Sequence, residues 1–321
     1  MNREHWENHK RQNILQSVLL IVTLTALVAY LGLILAGSWL AWAAVIVIIL
    51  AYFFNPLLSP HVVLKLYRGR VLRADEAPQL YRIVNILSQR AGLSKPPVLY
   101  YLPSNIMNAF ATGHSKNAVI GLSDGILRRL NLQELTAVLA HEISHIRHGD
   151  IRVMAYADFT ARLTHILSLT GQVLILLSLP FFFLGYFSFN WFPLLVLIFA
   201  PIISALLQLA LSRTREFDAD LGAVELLGNA QYLVQALSKL EHYQGNWIKR
   251  IFFPQGYHAE PSLLRTHPPT QERINRLMDL IDLPKIPMKN VDLLHDILLP
   301  TRLLAKSPIR PSNNYIMGIW F

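Results

Sequence analysis

From Gln12 to Leu64 the chain carries no Asp, Glu, Lys or Arg. A membrane-spanning helix needs about 20 apolar residues, so a run this long holds two. It breaks at Ala36-Gly37-Ser38 and predicts helices over 14–35 and 39–58. Asn55-Pro56 and Ser59-Pro60 close the second one, because proline cannot easily continue a helix. A second charge-free run extends from Leu163 to Ser212 and breaks at Phe187-Ser188-Phe189-Asn190, predicting helices over 166–186 and 192–212. Aromatic residues crowd that break, among them Tyr186, Trp191 and Phe192. Tyr and Trp favour the membrane–water interface, so the break reads as the far tip of a hairpin. The pattern is four transmembrane helices in two hairpins.

Between and after the hairpins the polar segments have periods of their own. Leu80, Ile83, Val84, Leu87 and Ala91 recur at helical spacing and predict a helix over 76–92. Val98-Leu99-Tyr100-Tyr101-Leu102, Asn108-Ala109-Phe110-Ala111 and Ala118-Val119-Ile120-Gly121-Leu122 read as short strands. Asn131 is placed to cap a helix over 132–148, and Gly149-Asp150 marks a local break after it. A further helix is expected over 216–241, weakened by Gly222 and Gly228, and another over 270–281. Residues 244–268 read as loop. The expected fold class is mainly α with a small β-sheet, an α+β body combined with the four spans. The organisation is a tail (1–13), a first hairpin (14–58), a first polar piece (59–165), a second hairpin (166–212), a second polar piece (213–283) and a proline-rich extension (284–321).

Composition supports the membrane. Hydrophobic residues make up 53% of the 321 residues and charged residues only 15%, against about 25% charged in soluble domains. So much apolar surface excludes a disordered chain. The formal net charge is +9, a value that suits nucleic acid or an anionic bilayer surface, and the bilayer is the simpler partner here. All 29 Lys and Arg lie outside the two charge-free runs. The positive-inside bias therefore puts both polar pieces and both termini in the cytoplasm. There is no cysteine, which excludes disulfides, thiol catalysis and thiolate metal sites. Any metal must be held by His, Asp or Glu.

The informative pattern is His141-Glu142-Ile143-Ser144-His145. Residues four apart share a helical face, so two imidazoles aim at one metal ion while Glu142 stands about 100° round, free to face a water. Zinc on neutral imidazoles acidifies its water to a pKa near ~7, and a carboxylate can move that proton to a leaving amine. A catalytic zinc needs a third protein ligand and an open position. Glu216 and Asp220 are also four apart. One of the two carboxylates suits the metal and the other the back of a ligating histidine.

The chain over 14–281 resembles the HtpX branch of the membrane zinc metalloproteases related to CAAX prenyl endopeptidase. Four motifs carry the likeness in order: Asn108-Ala109-Phe110, the HExxH segment, Glu216-Phe217-Asp218-Ala219-Asp220 and Thr266-His267-Pro268-Pro269-Thr270. The resemblance implies a gluzincin-like site, with one zinc on His141, His145 and Glu216, Glu142 as general base, and Asp220 behind His141. It implies that Asn108, Ala109 and Phe110 belong to an edge strand that pairs with extended polypeptide, a mode needing mainly backbone. It also implies a His267 and Arg273 pair near the metal, suited to an oxyanion or to substrate. Arg273 equally suits a carboxylate partner that braces the fold. His148 reads as solvent-facing near its helix end, and His114 and His165 carry no special role.

The implied function is an endopeptidase of the bacterial inner membrane, acting at its cytoplasmic face in quality control of damaged membrane proteins. The alternatives are a scaffold that has kept a zinc site and a prenyl-protein-type processing protease. A site inside the bilayer is disfavoured, because Arg128, Arg129, Glu134, Arg147, Asp150 and Arg152 surround the motif and charge is costly in lipid.

Overall fold

The structure, a computed structural model, describes residues 3–54, 60–113, 116–186, 190–251 and 270–281. The expected turn at 55–59, the tip at 187–189, His114 and the extension over 284–321 lie outside the described residues, as does 252–268 of the loop expected over 244–268, whose first residues, 244–251, are helical instead.

The first helix, α1, runs unbroken from Arg3 to Ala36. The charged segment read as a tail is therefore the first turns of the span helix. Glu, Lys, Arg and Gln are good helix formers, and adding turns to an existing helix is cheap. Gly37, at φ +80°, ends it, and α2 (Ser38–Phe54) returns alongside. Gly32 allows that close return: a Cβ there would meet the Ala41 backbone at 3.0 Å.

The polar body opens with α3 (Pro60–Leu66), β1 (Arg70–Val71) and α4 (Pro78–Arg90). Proline at the start of α4 has no N–H to leave unpaired, and Leu80, Ile83, Val84 and Leu87 form its buried face. Strands β2 (Val98–Leu102), β3 (Ala109–Thr112) and β4 (Val119–Ser123) follow. The sheet order is β1-β2-β4-β3. β2 pairs parallel with β4, β1 antiparallel with β2 and β3 antiparallel with β4. β3 is thus an edge strand.

Ser123 then caps the short α5 (Asp124–Arg129), its hydroxyl accepting from the Ile126 N–H. Asn131 and Glu134 form a reciprocal capping box on α6 (Leu132–His148), which satisfies two of the donors a helix start leaves unpaired. α6 is buried on nearly every side. Its Leu135, Leu139 and Ile143 join Leu87, Leu99 and Ile120 in one apolar core with the sheet.

Gly149 (φ +69°) ends α6 and Asp150 begins α7 (Asp150–Phe183), a single 34-residue helix. α8 (Trp191–Leu227) has 37 residues. The expected start of a new helix near 213–216 is not there: the fourth span and the Glu216–Asp220 segment share one continuous helix. It stops at Gly228, φ +72°, well before residue 241, and the chain restarts as α9 (Gln231–Ile251), followed by α10 (Thr270–Ile281).

Among the described residues three helical segments, Lys10–Ala36, Asp150–Phe183 and Trp191–Leu227, are long and apolar enough to cross a membrane. α2 is apolar but has 17 residues, at the short end of the spanning range. α1 packs on α2, α7 and α8, and α6 packs on α8. Membrane bundle and polar body therefore share their longest helix.

Candidate metal centre

The geometry starts from the crossing of α6 and α8. Gly222 lies where they touch, and a Cβ there would stand 2.1 Å from the Ser144 hydroxyl. This close approach brings Glu216 opposite His141 and His145, one atom of each lying within 4.8 Å of the others. The two Nε2 atoms are 3.1 Å apart. Glu216 places Oε2 3.4 Å from His141 Nε2 and Oε1 3.6 Å from His145 Nε2. A tetrahedral metal with ~2.0–2.1 Å bonds to nitrogen spaces its ligand atoms about 3.3–3.4 Å apart. The donor set therefore fits a small divalent ion.

Both imidazoles are held from behind. Asp220 Oδ1 stands 3.1 Å from His141 Nδ1, and Asp150 Oδ2 stands 2.7 Å from His145 Nδ1. Each leaves Nε2 to face the centre, the arrangement that orients metal-bound histidines. Sequence reasoning placed Asp220 and missed Asp150, which it read as a helix break. The left-handed Gly149 turns the chain so that Asp150, five residues past His145, folds back onto it. Glu142 is buried beside the pair, on the same helix.

Arg273, on α10, donates Nε to Asp220 Oδ2 at 2.8 Å and Nη2 to Asp220 Oδ1 at 2.6 Å. Its Nη1 lies 3.0 Å from Glu216 Oε2. Arg215 repeats the pattern at the other histidine. It donates Nε to Asp150 Oδ1 and Nη1 to Asp218 Oδ2. Sequence reasoning gave Arg215 no role. An arginine just before an acidic triplet was the available signal.

The site is strongly acidic. Burial opposes charge on His141, but hydrogen bonds to Asp220 and Glu216 outweigh it and hold the group up at about 10. His145 is raised as well. Burial and the neighbouring His141 work against its charge, and Asp150 and Glu216 favour it.

The edge strand passes next to α6. Asn108 precedes β3. Its N–H donates to Ser123 Oγ at 2.9 Å, and its carbonyl accepts from the Ser123 N–H at 3.0 Å. Antiparallel partners alternate, so Phe110 and Thr112 bond towards β4. The main-chain groups of Ala109 and Ala111 face the edge of the sheet that carries no further strand among the described residues.

His267 lies outside the described residues. His148 is half-buried, with Nδ1 3.3 Å from Ser144 Oγ, because α8 covers the helix end that was expected to face solvent. Burial pushes its imidazole pKa down.

Residues 74–281 match the model of peptidase family M48. The chain is 33% identical over 288 residues to a protease HtpX homolog of Methylibium petroleiphilum, covering 84% of this chain and 98% of that protein. It is 34% identical over 285 residues to one from Desulfatibacillum aliphaticivorans, covering 83% and 89%. Against one from Thermococcus sibiricus it is 34% identical over 289 residues, covering 84% and 96%. Among solved structures, Ste24p of S. mikatae aligns with a TM-score of 0.46 and 21% identity over 84% of this chain and 66% of that one. The family match over residues 74–281 and the HtpX homologs that align with most of the chain place it, with its HExxH helix facing a third acidic donor, in peptidase family M48 as an HtpX-type membrane metalloprotease.

Proposed function

We propose that the protein is a zinc endopeptidase that cuts polypeptides beside the cytoplasmic face of a bacterial inner membrane, in quality control of damaged membrane proteins. The observation that carries the reading is the convergence of His141, His145 and Glu216 within 4.8 Å, with Glu142 on the same helix. In this reading those three residues hold one zinc per chain, and Asp220 and Asp150 fix the imidazoles. When bound, the metal acidifies a water and polarises the scissile carbonyl. The Glu142 carboxylate takes the proton of the attacking water as the new C–O bond forms. It returns that proton to the amide nitrogen as the C–N bond breaks.

Arg273 has its nitrogens committed to Asp220 and Glu216, which supports bracing of the ligands over direct contact with an oxyanion. The open edge of β3 gives an extended substrate two residues to pair with, Ala109 and Ala111, independent of its side chains. Such tolerance suits damaged proteins of many sequences. The cytoplasmic placement rests on charge: every Lys and Arg lies outside the charge-free runs, and the positive-inside bias then supports a cytoplasmic polar body.

The test is cleavage of casein by the detergent-purified chain, wild type against Glu142→Gln, with metal content measured in both. Zinc-dependent cutting by wild type alone supports the assignment. Full zinc in both with no cutting of casein or membrane proteins moves the scaffold reading forward.

A further inference from the structure

The first helix reaches the surroundings of the metal centre through an amide. Asn13, buried on α1, donates Nδ2 to Asp218 Oδ1 at 2.7 Å across 205 residues of chain. The other oxygen of Asp218 accepts from Arg215 Nη1 at 2.9 Å. Arg215 donates Nε to Asp150 Oδ1 at 2.5 Å, and the second Asp150 oxygen stands 2.7 Å from His145 Nδ1. Each link uses a different atom, so Asn13, Asp218, Arg215, Asp150 and His145 form one continuous chain of contacts.

We propose that Asn13 is a positioning residue for the metal centre, fixing His145 through Asp218, Arg215 and Asp150. The proposal rests on the reading of His145 as a metal ligand. Arg215 is buried between two carboxylates, and such a charge is stable only while both partners keep their geometry. Asp218 gives one oxygen to Arg215 and one to Asn13. Without the amide its carboxylate loses the hydrogen bond that opposes Arg215, so that Arg215 shifts and Asp150 loses the angle at which it meets the imidazole. Partners behind a ligand set metal affinity in this way. The position explains the residue type. Asn13 is the second residue of the charge-free run, where α1 enters apolar surroundings, and an amide supplies the donor there without a charge.

The test measures zinc affinity by competition with a chromophoric chelator on the full chain in detergent, together with kcat, KM and melting temperature. The absorption spectrum of the cobalt-substituted protein reports ligand geometry. Changing Asp150, in direct contact with His145, is expected to weaken metal binding about 10–100-fold. Asn13→Leu, further along, is expected to weaken it about 3–10-fold, lower kcat more than KM and alter the cobalt spectrum. Ser17→Ala, which removes a buried hydroxyl one turn further along α1, is expected to change none of these. Asn13→Asp sets two carboxylates together and is expected to weaken binding, and adding Asp218→Asn restores the hydrogen bond with exchanged roles and recovers part of it, because Arg215 keeps an amide oxygen but loses one adjacent charge. Where Asn13→Leu also lowers the melting temperature, this exchanged pair decides. Asn13→Leu with wild-type affinity and spectrum, or an exchanged pair no better than Asn13→Asp, overturns the proposal. His145→Asn is the check on its foundation: if that variant binds zinc normally, the ligand assignment fails and not the relay alone.

Discussion

Asp150 meets His145 from the first residue of the following helix, its Oδ2 2.7 Å from Nδ1. The contact depends on a left-handed glycine between two helices, and it ties the second HExxH histidine to the start of a membrane segment. Asp150→Asn is expected to keep the fold and lower zinc affinity about 10–100-fold, read by chelator competition. Unchanged affinity would mean that His145 does not need this partner.

Glu142→Gln keeps the size of the side chain and removes its basicity. Metal content should stay at one zinc per chain, and cleavage should fall by about 10²–10⁴-fold, the usual range for loss of general base catalysis. Loss of metal along with activity would instead make Glu142 part of the binding site.

The pH behaviour of the metal-free chain follows from His141. Its folded pKa is raised to about 10, against about 6.5 for an unperturbed imidazole. A raised pKa stabilises the fold fully below the unfolded value, and this stabilisation is lost as pH climbs towards the folded value. The chelator-treated protein should therefore melt at progressively lower temperature between about pH 6.5 and pH 10. Bound metal replaces the proton, so the zinc form should lack this slope, and zinc affinity should rise with pH over the same window. Parallel melting curves for the two forms would remove His141 as the linked group.

Gly222→Ala tests the helix crossing. The new Cβ would sit 2.1 Å from Ser144 Oγ and 3.1 Å from Ser144 Cβ, in a contact with no spare volume. Such overpacking costs about 1–3 kcal/mol, visible as a lower melting temperature in detergent. Adding Ser144→Ala removes the shorter contact and should recover most of the loss.

Proline on the edge strand separates folding from substrate pairing. Ala111→Pro removes an N–H that faces the open edge and should leave the melting temperature nearly unchanged. KM should rise about 2–10-fold, the worth of one hydrogen bond of ~0.5–1.5 kcal/mol. Phe110→Pro removes an N–H that bonds towards β4 and should lower the melting temperature. Equal KM for wild type and Ala111→Pro would exclude strand pairing at that residue.

Local sequence carried much of this architecture. The charge-free runs gave the long apolar helices, and Asn131 as a cap gave the start of the helix that carries the HExxH motif. Glu216 and Asp220 were legible because residues four apart share a helical face, but spacing left their division of labour open; the family resemblance supplied it, and the α6–α8 crossing puts Glu216 near the Nε2 atoms and Asp220 at Nδ1. The unity of α8 was hidden for a related reason. Composition changes sharply at Arg213, and a change of surroundings imitates a boundary although the backbone has none. Asn13 and Arg215 were illegible because their meaning lies in partners far away in sequence, which no periodicity records.

The unbroken α8 has a mechanical consequence. Glu216 lies four residues beyond Ser212, where the charge-free run ends, a rise of about 6 Å. Glu216, the proposed metal ligand, and the apolar length of α8 therefore share one continuous helix. Helices answer a mismatch between their apolar length and the bilayer by tilting. If Glu216 holds the metal as proposed, a tilt of α8 would carry its carboxylate relative to the imidazoles on α6, and the thickness of the surrounding lipid would bear on the chemistry.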